Sequence, residues 1–249
     1  MKHIFHVHTF RCKHGSDEND EAYVRTALSL GADQITFTDH CPFPGNPFKN
    51  RMDMEHLPEY IESLNHLQEK YLGQIKIQIG LEVEFLPSML KFYEELKYLN
   101  LKPLIIGQHF YQHPDGSFSF DDENKSNEYI GCCKAMIEGM KTGLFNIVAH
   151  PDRFFRRCKK WTSELTDISN ELISTAAQNN IILEKNLSSY EKLIEKSDYI
   201  YWRNEFWDLV YQYNISASNP VKIIIGFDAH TTEQMIKRMD YVKLLKPVQ

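Results

Sequence analysis

The chain has 249 residues, 42% of them hydrophobic, and a formal net charge of −6. That size and apolar content support one large domain over residues 1–249. The acidic balance argues against a general nucleic-acid binder, and no stretch is long and apolar enough to span a membrane.

The five cysteines, Cys12, Cys41, Cys132, Cys133 and Cys158, are odd in number and form no CxxC. Such usage fits reduced thiols, and with no leader pattern visible the expectation is a cytoplasmic protein. Cys12 and Cys41 read as small buried hydrophobes or as spare thiolate ligands.

The first predicted element, HIFHVH over 3–8, has the look of a short buried strand and carries His6 and His8. Residues two apart on a strand share a face, so the two imidazoles would stand about 6.6 Å apart along the backbone. His14 follows in the next loop. A helix over DEAYVRTALSLGA stops at Gly31, and QITFTD over 34–39 leads into Asp39 and His40. DMEHLPEYIESLNHLQEKYLG reads as a helix with Asp53 as N-cap, Pro58 kinking it or delaying its start, and Gly73 as its stop.

The run IKIQIGLEVEF over 75–85 ends in Glu82 and Glu84, and KPLIIGQHF over 102–110 ends near His109. A long loop, 110–124, separates it from a helix over SNEYIGCCKAMIEGMKTG. FNIVAH over 145–150 ends in His150, with Arg153 just beyond among Arg156, Arg157, Lys159 and Lys160. A helix over LTDISNELISTAAQNN precedes the strand IILEKN, 181–186. The aromatic stretch 199–213 reads as a packed amphipathic segment or a pocket wall. VKIIIGFDAH over 221–230 closes the series with Asp228 and His230.

Seven strand-like runs alternating with helical stretches imply an α/β protein with a parallel sheet, either closed into a barrel or open and doubly wound. Metal-ligand residue types cluster at the C-terminal ends of six of these runs. In barrels of alternating strands and helices that end carries the active site, so a shared metal centre is expected. His3, His56, His66 and His113 fall elsewhere and read as ordinary surface or packing residues.

The motifs HVHTF, CKHGS, TDHCPFP, GLEVEFLP, AHPDR and DAH together resemble the polymerase-and-histidinol-phosphatase (PHP) superfamily, and within it the monofunctional histidinol-phosphatase branch. The likeness runs over nearly the whole chain and implies a distorted seven-stranded (β/α) barrel. It departs at Phe227, where the family has a serine before the last aspartate, and at Lys185 between Glu184 and Asn186 of the sixth run.

Carried over residue by residue, the resemblance implies three metal sites. One would use His6, His8, Glu82 and Asp228, a second His14, His40 and His230, and a third His109, His150 and the other oxygen of a bridging Glu82. These nine residues offer ten donors, enough nearly to saturate two ions but leaving open positions on three of the Zn, Mn or Fe type. Three divalent ions less two carboxylates and one hydroxide leave about +3, matched to a phosphate monoester dianion.

The implied reaction is hydrolysis of L-histidinol phosphate, a step of histidine biosynthesis, by a water bridging the ions and attacking in line. Another small phosphoester, or a metal-binding module without catalysis, are the competing readings. Arg153 is a candidate phosphate clamp or a surface arginine at a helix start. Asp39 would orient His40 or protonate the leaving group. Phe118, Phe120 and Asp121 or Asp122 in the 110–124 loop would meet the imidazole and amine of the leaving group.

Overall fold

All seven apolar runs form strands in a computed structural model, which describes residues 2–120, 126–158, 160–195 and 203–244. They are β1 (His3–Val7), β2 (Gln34–His40), β3 (Lys76–Val83), β4 (Leu104–Ile106), then, past a hairpin, β7 (Ile147–Val148), β8 (Ile182–Asn186) and β9 (Ile223–Gly226). Every neighbour in the order β1-β2-β3-β4-β7-β8-β9 is parallel. The ends meet through a parallel bridge between Val7 and Ala229, with His8 N donating to Ala229 O at 2.8 Å and Phe227 N to Phe5 O at 2.7 Å. The barrel rather than the open sheet is therefore the outcome.

Helices cover the outside. They are α1 (Asp20–Ser29), α2 (Leu57–Lys70), α3 (Leu90–Lys97), α4 (Ser126–Lys141), α5 (Ser163–Gln178), α6 (Leu187–Glu195), α7 (Asn204–Ser216) and α8 (Thr232–Leu244). Asn19 caps α1 by accepting from Ala22 N. Asp53 makes no cap bond; a 3₁₀ turn over Met54–His56 comes first, and Pro58 sits in the first turn of α2. A proline lacking its N–H fits there and explains the delayed start. The described part of the aromatic stretch falls on α7, whose Phe206, Trp207 and Val210 are buried; residues 199–202, like Asp121, Asp122 and Lys159, lie outside the described residues.

The interior of the barrel is layered. At the N-terminal end of the strands, His3, Gln34, Thr36 and Gln78 hydrogen-bond to one another. Above them a small apolar plug of Phe5, Ile105, Ile147 and Ala149 fills the middle, with Ile182 and Ile224 against it. The main core lies between strands and helices and includes Ile35, Phe37, Leu81, Val83, Leu172 and Ile173. The mouth, at the C-terminal ends of the strands, is left to polar groups.

Helices α3, α6 and α8 and one hairpin went unforeseen. Residues 110–124 contain a hairpin, β5 (Phe110–Gln112) against β6 (Phe118–Phe120). Gly116 turns it at φ +85°, and Phe48 holds it, with ring centroids 4.5 Å from Phe110 and 5.0 Å from Phe118.

Candidate metal centre

The mouth of the barrel collects all nine residues expected there, and their ring contacts form one continuous patch. His6 and His8 lie 4.8 Å apart between centroids, His8 and His230 4.1 Å, His8 and His40 4.5 Å, and His109 and His150 4.8 Å. His14, the exposed member, is 4.4 Å from His230 and 5.2 Å from His40. His6 and His8 do converge, but not through plain strand alternation. The pairing with β2 slips between Phe5 and Val7, and His6 takes φ +69°. His150 (φ +33°) and Asp228 (φ +48°) also lie in this left-handed region, which is costly for residues with a side chain. Three of the nine residues are thus held in strained backbone by the surrounding fold.

Glu82 is the hub. Its Oε2 is 2.8 Å from His40 Nδ1, 3.4 Å from His6 Nε2 and 3.6 Å from His8 Nε2. Its Oε1 is 2.8 Å from His150 Nε2 and 3.7 Å from His109 Nε2. Asp228 Oδ1 lies 3.4 Å from His8 Nε2 and 3.7 Å from His230 Nδ1. Gly107 makes room for the hub, because a Cβ there would stand 2.0 Å from Glu82 Oε1.

Three overlapping triads bring ligand atoms within 4.8 Å of one another: His8–His40–His230, His6–His8–Asp228 and His40–Glu82–His109. His40 thus faces two of the expected groupings at once. His6 Nε2, His8 Nε2, His40 Nδ1, Glu82 Oε2, His150 Nδ1 and His230 Nε2 are buried with no hydrogen-bond partner. Orphaned buried polar atoms are costly, and here five imidazole nitrogens and a carboxylate oxygen are orphaned at one centre. That donor set fits divalent ions of the zinc type. Burial, with the charge of Arg51 at His40, of Arg153 at His109 and with neighbouring histidines at His230, holds all three well below the usual imidazole range. Against the upward push of burial, the imidazoles around it hold Glu82 well below the ordinary carboxylate range.

Behind the ligands stand carboxylates. Glu184 Oε1 meets His6 Nδ1 at 2.6 Å, and its Oε2 accepts from His150 N at 3.0 Å and Asn186 Nδ2 at 3.1 Å. Glu84 Oε1 meets His109 Nδ1 at 2.7 Å, and Glu84 also accepts from Arg51. Such partners fix the tautomer of a ligating imidazole. Glu84 carried no assigned role in the sequence, and Glu184 appeared there only as the residue before Lys185 in the sixth run. Glu84 lies two residues beyond Glu82, and that spacing on a strand was the available signal.

Asp39 corrects an expectation. It neighbours His40 on β2, and adjacent strand residues face opposite sides. Its Oδ1 accepts from Thr9 N at 2.6 Å and its Oδ2 from Thr9 Oγ1 at 2.5 Å. No described bond joins it to the His40 ring, so it fastens the chain after β1 instead. Burial pushes its carboxyl up to about 7.

A cavity of about 660 Å³ opens over the centre. Arg153, half-buried, lines it together with Arg51, Lys192 and Arg238, and Phe110, Phe118 and Phe120 form an aromatic wall. Burial and the charge of Arg153 lower Lys192 to about 8. None of the described residues of the 199–213 stretch lines this cavity; Trp207 there packs inward and donates to Asp152 Oδ2 at 3.1 Å.

The PHP domain family profile matches residues 5–188. A Bacillus subtilis protein named histidinol-phosphatase is 26% identical, with 90% of this chain and 92% of that protein covered. A Deinococcus radiodurans protein named "Probable histidinol-phosphatase" is 33% identical over 159 residues, a match that spans 59% of each chain. Among solved structures, HisK from Listeria monocytogenes superposes with a TM-score of 0.75 at 19% identity, covering 94% of this chain and 97% of that one. Histidinol phosphate phosphatase from Lactococcus lactis, complexed with zinc, L-histidinol and phosphate, superposes with a TM-score of 0.69 at 21% identity, covering 98% and 91%. At these identities the structural likeness speaks for the fold.

Proposed function

Since the chain belongs to the PHP domain family, we propose that it is a metal-dependent phosphomonoesterase that hydrolyses L-histidinol phosphate to L-histidinol and phosphate in histidine biosynthesis. The observation that carries this reading is the set of orphaned buried donors around Glu82 at the barrel mouth, beneath a cavity rimmed by cations and aromatic rings. The names of relatives from Bacillus subtilis and Lactococcus lactis point to the same substrate.

Three divalent ions, of zinc, manganese or iron, would be held by the nine residues: His6, His8, Glu82 and Asp228; His14, His40 and His230; and His109 and His150 with Glu82 shared. Bound there, they would supply Lewis acidity and an acidified water. The chain's own groups do the rest. Glu184 and Glu84 fix the rings of His6 and His109. Arg153 and Lys192 on the cavity wall oppose the charge that builds on the phosphoryl oxygens, with the arginine fork suited to hold two of them. Phe118 and Phe120 offer flat faces to the imidazole of the leaving group. Among the described residues no helix is long and apolar enough to cross a membrane, and five buried free cysteines accord with a reducing, cytoplasmic setting.

The test is phosphate release by zinc- or manganese-loaded protein from a panel of histidinol phosphate, sugar phosphates and nucleotides. A clear preference for histidinol phosphate is the expected result. Equal turnover across the panel would remove the substrate assignment and leave a general phosphoesterase. No turnover of any member would leave a metal-binding module.

A further inference from the structure

His8 differs from the imidazoles around it in what stands behind it. His6 and His109 are backed by carboxylates. His8 Nδ1 instead lies 3.4 Å from the Sγ of Cys12. The same sulfur accepts from the backbone N–H of His40 at 3.2 Å, and the carbonyl of residue 12 lies 2.6 Å from His14 Nδ1. Cys12 is fully buried and is set by a 3₁₀ turn over Phe10–Cys12, capped by Thr9 and closed by Lys13 at φ +62°.

We propose that Cys12 is a positioning residue of the metal centre, its thiol and its carbonyl together orienting His8, His40 and His14. This rests on the metal-dependent reading of the site given above.

A neutral imidazole carries one N–H and one lone pair. His8 Nε2 faces Asp228 and Glu82 and has no hydrogen-bond partner, so its lone pair must point into the centre for it to ligate. The proton then sits on Nδ1, and the sulfur beside it is the acceptor. Were the thiol the donor, the proton would move to Nε2 and block ligation. The same logic places a proton on His14 Nδ1, donated to the carbonyl of Cys12.

Cys12 does not read as a ligand itself. Its sulfur contacts the nitrogen of His8 that faces away from Glu82, and it already takes the His40 N–H. Cys12, His8 and Asp39 do come within 4.8 Å of one another, but both oxygens of Asp39 are committed to Thr9. Sulfur is a weak acceptor, so His8 is a poorer donor to metal than His6, whose partner is the carboxyl of Glu184 at 2.6 Å. The centre is built with a strongly backed side at His6 and a softly backed side at His8.

The experiment compares wild type with Cys12→Ala and Cys12→Ser. Zinc affinity is read by competition with a chelating dye, and metal-free melting temperature checks that each variant folds. Removing a ligand's supporting partner costs about 10-fold or more in metal affinity. We expect that loss in Cys12→Ala and at least partial recovery in Cys12→Ser, whose hydroxyl accepts in place of sulfur. Equal affinities for the two variants would overturn the proposal, because they are similar in size and differ in the acceptor. Cobalt-loaded wild type supplies a second readout: a thiolate-to-cobalt charge-transfer band would make Cys12 a ligand and refute the positioning role. Failure of wild type to bind zinc would instead remove the metal reading on which the proposal stands.

Discussion

Glu184→Gln isolates a supporting carboxylate from the ligands themselves. Glu184 is fully buried. One oxygen serves His6 Nδ1 at 2.6 Å, and the other serves His150 N at 3.0 Å and Asn186 Nδ2 at 3.1 Å. Glutamine has the same shape, and Gly226 leaves the space that either side chain needs, since a Cβ there would stand 1.7 Å from Glu184 Oε1. What changes is the charge and one of the two acceptors. A single amide oxygen can satisfy His6 or the His150 and Asn186 donors, and the NH₂ group then faces a donor on the other side. Loss of such a partner costs about 10- to 100-fold in metal affinity, equivalent to about 1.4–2.8 kcal/mol. The upper half of that range is expected, because the carboxylate supports two imidazole-bearing residues at once. Dye competition for zinc measures it, with the melting temperature of metal-free protein as the control. Unchanged zinc affinity in a folded variant would refute the idea that Glu184 sets the His6 tautomer.

Glu82→Ala should lower metal content more than substitution of any one histidine, because five imidazoles converge on its two oxygens; full occupancy by elemental analysis would end the bridging assignment. Phe118→Ala should cost about 2- to 10-fold in kcat/KM for histidinol phosphate, the size of one aromatic contact, and less for a small alkyl phosphate; equal losses on both would take the hairpin out of specificity. His3 tests acid sensitivity. Burial, with the charge of Lys76, lowers its pKa to about 4 from 6.5 in the unfolded chain. A depressed folded value means the contribution is complete above 6.5 and fades as pH falls through 4. Denaturant melts of His3→Gln should therefore show a flatter stability profile over that window than wild type, and parallel profiles would count against it.

The seven strands were legible because each is a short apolar run that ends in a polar ligand type; closure into a barrel came from the family resemblance. The site was legible because those ends converge in a closed parallel sheet. The hairpin at Phe110–Gln112 and Phe118–Phe120 went unread, although Asp115-Gly116 between aromatic residues is a short-range turn signal. Two things were out of reach. The bulge that puts His6 at φ +69° depends on the seam where β1 meets the residues after β9, a contact between chain positions more than 200 apart. The partners of Asp39 depend on where Thr9 comes to rest. Alternation along β2 would still have turned Asp39 away from His40, and applying it there would have corrected the expectation.

The plug of Phe5, Ile105, Ile147 and Ala149 makes the centre a blind well. Whatever enters must leave by the same opening, and on the proposed reading a phosphoester would enter phosphate-first toward the histidine and carboxylate donors. The alcohol would then lie nearer the rim and is expected to depart before inorganic phosphate. Kinetically the expectation is an ordered release, with phosphate competing against substrate and the alcohol inhibiting by rebinding above retained phosphate. On that reading the slowest exit would belong to the anion, with Arg153 and Lys192 on the cavity wall setting its residence time.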